Sequence, residues 1–161
     1  MKSEKLNDFK EVLRNGMIAN FEKDGYVAPI VFFFKDDRPI MSVVPPEYIS
    51  TPEGKAMLAQ MIKSFCAQPN VLAAGLIIEA NGARMDADSE MTKLVLNGSV
   101  KISELKDKID IIVMIFSTPE SEELIAYEVD CENFKVGEKF SDEAAKAMGS
   151  TFSNFFNWSK N

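Results

Sequence analysis

The chain contains no histidine. That absence removes Ser-His-Asp and Cys-His catalysis, HExxH zinc sites and the histidine-ligated non-haem iron triad. Carboxylates, Lys, Ser and Tyr are the groups any chemistry would have to use. Cysteine is scarce too: Cys66 and Cys131 stand alone, without CxxC spacing, and read as two free thiols of a reducing compartment. A nucleophilic Cys66 would lack the histidine that thiolate chemistry usually borrows. No window approaches the roughly 18 unbroken apolar residues of a membrane span, and residues 1–10 hold no apolar signal core, so a cytoplasmic location with no membrane partner is expected. GxGxxG, P-loop and GxSxG patterns are missing, and no cofactor is expected. Asp86, Asp88 and Glu90 alternate like the opening of a calcium loop. Met91 then stands where the sharp turn needs Gly and Asn97 where the bidentate Glu belongs, so no metal site is expected.

What is present describes a folded domain. Apolar residues make up 46% of the chain and charged ones 27%, the balance of a globular protein, and 161 residues suit one domain spanning 1–161. The net charge of −7 is concentrated. Residues 118–143 hold nine acids (Glu120, Glu122, Glu123, Glu128, Asp130, Glu132, Glu138, Asp142, Glu143) against Lys135 and Lys139, and the other 16 acids and 16 bases cancel. Such a surface repels phosphates, which argues against a nucleic-acid partner.

The stretch organising the rest is Val71 to Ala80, VLAAGLIIEA, apolar at nearly every position and bounded by Gln68-Pro69-Asn70 and Asn81-Gly82. It reads as a strand buried on both faces, near the middle of a sheet. Before it, Leu6, Phe9, Leu13 and Met17 recur at helical spacing between Ser3 and Asn20, with a turn expected over Phe21 to Gly25. Val27 to Phe34 and Ile40 to Val44 read as a hairpin across the Lys35 to Pro39 turn, Pro29 marking an edge, a bulge or a strand start. Thr51-Pro52-Glu53 opens a helix whose stripe is Met57, Leu58, Met61, Ile62 and Phe65. Residues 81–108 are either a short helix over Asp88 to Val95 with a loop, or a hairpin turning at Asn97-Gly98. Ile109 to Phe116 is a second doubly buried strand. Leu124 to Asp130 alternates and reads as an edge; Cys131 to Phe140 is loop or short strand. Ser141 caps a last helix carrying Phe152, Phe155 and Phe156, with Trp158 beyond it.

The order α-β-β-α-β-β-β-α predicts an α+β fold: a mainly antiparallel sheet of about five strands with helices on both faces. That order resembles roadblock-type dynein light-chain domains and other profilin-like sandwiches, which implies a dimerising platform or adaptor and not an enzyme. Asp24-Gly25, Pro29 with the Val31 to Phe34 run, and the strand ending in Glu79-Ala80 are similar to a pattern in small uncharacterised bacterial and phage proteins. This second resemblance covers the first half of the chain and implies a prokaryotic source. It transfers no site residues, and Asn81 stands here where those proteins often carry an aromatic.

Three functions follow as expectations. The first is a protein-interaction domain, homodimeric or with a protein partner, through an edge strand or through an interface of Phe152, Phe155, Phe156 and Trp158; these aromatics otherwise pack inward as core. The second is small-molecule binding in a pocket near residues 81–108, with Glu79 and Asn81 as ligand-binding residues. The third is carboxylate chemistry with Glu79 as catalytic residue and Asp24, Asp36 or Asp37 as a second carboxylate; the alternative for Glu79 is a rim carboxylate satisfied by a backbone amide or a cation.

Overall fold

The computed structural model describes residues 2–82, 89–100, 108–140 and 155–156. Its elements are α1 (Lys2–Asp24), β1 (Ile30–Lys35), β2 (Arg38–Val43), α2 (Glu47–Ser50), α3 (Pro52–Cys66), β3 (Val71–Gly82), α4 (Glu90–Leu96), β4 (Ile109–Ser117), β5 (Glu122–Asp130) and β6 (Lys135–Lys139). All six strands join one antiparallel sheet in the order β2-β1-β3-β4-β5-β6. The α+β class and the helical cover on both faces agree with the sequence, and the strand count rises from five to six. The C-terminal helix expected after Ser141 falls outside the described residues.

β3 sits between β1 and β4 because both its faces are apolar. Ala73 and Ile77 belong to the layer under α1, while Ala74 and Leu76 belong to the layer under α3. On the α1 side, Phe9, Leu13, Met17 and Phe21 form the buried stripe. Phe21 is four residues after Met17 and extends that stripe, which is why α1 runs on to Asp24 through the expected turn. Gly25, at φ +76°, then ends it, its N–H reaching the Phe21 carbonyl at 2.8 Å.

The centre of the α1 layer is aromatic. Phe32 and Phe116 stack at 5.7 Å, and Phe9 meets Phe32 edge-on at 5.8 Å. Gly75 pairs with both Phe32 and Phe116, and a Cβ there would strike the Phe32 ring and the Ile115 carbonyl. Its lack of a side chain lets the rings close over the strand.

On the other face α3 packs Leu58, Ala59, Ile62 and Cys66 inward, and its Phe65 ring lies 4.0 Å from that of Phe33 on β1. Thr51 caps α3 as its sequence predicts, accepting from the Gly54 N–H at 3.0 Å. Over residues 89–100 the short-helix alternative is the one present, as α4. β5 was expected at an edge, but the Lys135 to Lys139 strand pairs outside it, so β5 is interior and the edges are β2 and β6. The alternation of β5 reflects Ile125, Tyr127 and Val129 facing α1.

Candidate functional site

Glu79 points to the α1 side at the end of β3, paired with Ile112, and is exposed. Its Oε1 accepts a hydrogen bond from the Val27 N–H at 2.5 Å. A charged acceptor on a backbone amide of the chain entering β1 anchors that segment. Among the sequence alternatives this is the rim carboxylate satisfied by a backbone group. Asn81 pairs with Asp110 one step further along.

The Cys131 thiol lies 3.5 Å from Asp110 Oδ2, and burial, that hydrogen bond and the charges of Asp110, Glu79 and Asp130 push it up to about 11. Acidic surroundings of this kind hold a thiol protonated and unreactive. Burial alone pushes Cys66 up to about 12. Asp36 and Asp37 turn between β1 and β2, beyond the Lys35–Val71 pair, whereas Glu79 lies beyond the Ile30–Ile77 pair. They occupy opposite ends of the sheet, so neither forms a carboxylate pair with Glu79. Asp24 ends α1 at the Glu79 end.

Among the described residues, clefts lie at two places away from residues 81–108. One of about 470 Å³ opens at the β1–β2 turn among Lys35, Asp36, Arg38, Pro39 and Ile40. The other, about 230 Å³, lies between the residue 117–122 turn and Phe155 and Phe156. There Ser117 Oγ donates to Glu122 Oε2 at 2.8 Å. Among the described residues no group of three or more Cys, Asp or Glu is placed to hold a metal ion, and no helix is long and apolar enough to cross a membrane. Phe155 and Phe156 are buried in the α3 layer, where the inward-packing alternative puts them; Phe152 and Trp158 lie outside the described residues.

The unusual surface is β2. All six of its residues are exposed, although its interior sequence is Pro39-Ile40-Met41-Ser42-Val43. The two-residue turn at Asp36-Asp37, both at positive φ, makes Lys35–Arg38 a hydrogen-bonded pair. Alternation along the ladder makes Phe33–Ile40 and Val31–Ser42 hydrogen-bonded pairs as well, and the 2.8 Å bond from the Val44 N–H to the Pro29 carbonyl continues that parity. Met41 and Val43 therefore aim both N–H and C=O away from the sheet, and Pro39 aims only a carbonyl. A proline is tolerated at that outward position.

The side chains follow the same geometry. Met41 and Val43 lie opposite Phe32 and Ile30 on the α1 side, 55% and 65% exposed, and Ile40 lies opposite Phe33 on the α3 side. On α1, Val12, 68% exposed, lies two turns after Lys5, whose ammonium reaches Asp37 of the hairpin at 3.7 Å. The other flank of α1 reaches β5 through Lys10–Glu123 and Arg14–Tyr127. Below, on α3, Met61, 55% exposed, precedes by one turn Phe65, whose ring meets Phe33 of β1. Among the described residues, Ile40, Met41 and Val43 of β2 are all large hydrophobic side chains left exposed.

The opposite edge is guarded. β6 is Lys135-Val136-Gly137-Glu138-Lys139, charged at three of five positions, and its pairing with β5 is irregular between Tyr127 and Val129. Sequence reasoning did not single out β2; the signal available was Pro39, which confines its strand to an edge, beside a two-residue turn that sets which amides face out.

Searches of protein-family models, curated proteins and solved structures return no significant match to this chain.

Proposed function

We propose that the chain is a protein-interaction domain that takes its partner by strand addition to β2, with no catalytic chemistry of its own. The observation carrying this reading is an edge strand with every residue exposed, apolar side chains on both faces, and the Met41 and Val43 peptide groups directed outward. Edges of this type are templates for another strand, and natural domains otherwise blunt them. Glu79 acts in this reading as an anchor for the Val27 segment. The free thiols, Cys66 buried and Cys131 exposed, fit a cytoplasmic protein, and the resemblance of its first half to small bacterial and phage proteins suggests a prokaryotic one.

A photo-crosslinking residue placed at Val43, and separately at Glu138 on β6, tests the proposal in native cells. A discrete protein adduct from Val43 alone is the expected result. Adducts from Glu138 and none from Val43 would remove the reading.

A further inference from the structure

We infer that the occupant of β2 is the β2 strand of a second copy, paired antiparallel about a two-fold axis at Ser42. The inference rests on the reading of β2 as the docking edge and adds the identity and register of the partner.

The register follows from which peptide groups are free. An axis at Ser42 sets Met41 opposite Val43 of the second copy, and Val43 opposite its Met41. Each such pair exchanges two N–H to C=O bonds, so all four outward groups of Met41 and Val43 on each copy are satisfied. Pro39 then faces Pro45 of the second copy, where neither residue has an N–H to place. Moving the axis to Met41 sets Val43 opposite Pro39, and moving it to Ile40 sets Met41 opposite Pro39. The first shift leaves the Val43 carbonyl without a donor and the second the Met41 carbonyl, whereas the axis at Ser42 leaves only proline carbonyls at the ends of the ladder. Of these registers it alone pairs the Met41 and Val43 peptide groups completely.

The surroundings are self-complementary in the same arrangement. A two-fold axis normal to the sheet keeps both α1 helices on one face and both α3 helices on the other. Met41 and Val43 on one face and Ile40 on the other, exposed in the single chain, are then shared between the two copies.

Charge favours a second copy at this edge and at no other. Residues 118–140, which include β5 and β6, carry seven acids and two bases, so a like edge presented there is repelled. In the β2-paired arrangement the two β6 strands are separated by eleven strand spacings, roughly 50 Å at about 4.8 Å each, several times the ~10 Å screening length at ordinary salt. Two acidic molecules meet at their least charged margins.

The purified protein decides this by light scattering and by disulfide trapping in a Cys131→Ser background. The wild type is expected at twice the 18.0 kDa chain mass. Met41→Lys combined with Val43→Lys is expected at one chain mass with an unchanged circular dichroism spectrum, since both side chains are exposed in the single chain. At the axis a non-hydrogen-bonded pair brings the Ser42 Cα atoms to about 4.5 Å, within disulfide reach. Ser42→Cys should therefore oxidise to a linked dimer at least ~10-fold faster than Ile40→Cys, whose two copies sit four residues out of register, roughly 13 Å apart along the strand.

A wild type of single-chain mass at high micromolar concentration, with no Ser42→Cys dimer, would overturn the second copy. It would leave β2 to a different protein, which the adduct in cells reports by its mass. A dimer that survives the double lysine change would overturn both the inference and the use of β2. Faster linkage through Ile40→Cys would overturn the register.

Discussion

Gly75 shows how much one missing atom can position. Its backbone lies under the Phe32 ring and against the Ile115 carbonyl, so Gly75→Ala is expected to displace the aromatic layer and lower stability by about 2–4 kcal/mol, read from the urea midpoint. Glu79 makes a different demand: Glu79→Gln keeps an acceptor for the Val27 N–H, whereas Glu79→Ala orphans an amide of a buried residue. The Ala variant should cost about 1–2 kcal/mol and the Gln variant less than half of that; equal losses would assign Glu79 a role beyond this bond. The thiols set a limit on alkaline stability. Both are raised in the folded state above their ordinary value of 9.0, Cys66 to about 12 and Cys131 to about 11. The folded state thus holds protons that the unfolded chain releases, so this contribution is complete below about pH 9 and is lost as pH rises through 11 to 12. Urea midpoints at pH 8 and near pH 11 should fall in the wild type and fall less in Cys66→Ala.

At the scale of elements, those whose apolar period is strong were legible: the α1 stripe, the Thr51 cap of α3, and the doubly buried β3 and β4. What was not legible depended on contacts between distant residues. Phe21 belongs to α1 because a sheet lies beneath it, and β6 exists because β5 offers Val129 and Asp130 as partners to Val136 and Lys135. Val136 is flanked by Lys135 and Gly137 and has no apolar run to announce it. Glu79 stands out in the sequence as a carboxylate ending an apolar strand, but its partner is an amide 52 positions earlier that no local pattern names. The C-terminal aromatics are tested at this scale. Phe155 is fully buried beside α3, so Phe155→Ala should cost about 3–5 kcal/mol in chemical denaturation.

For the whole molecule, the separation of charge from the open edge predicts a salt response. A dimer joined through β2 has its acidic margins far beyond the screening length, so its dissociation constant should change less than about threefold between roughly 0.05 and 0.5 M salt. A steep dependence would place the contact nearer to residues 118–140.

The two margins of the sheet differ in kind, one open and flanked by oily residues, the other short, irregular and charged. Such a molecule can be extended in one direction only. In the proposed β2 pairing a single addition uses up the open margin and leaves both outer margins of the forbidding kind, so that assembly would count to two and not lengthen into a ribbon. The acidic flank that looks like surplus solubility would, in that assembly, be what gives it a definite end.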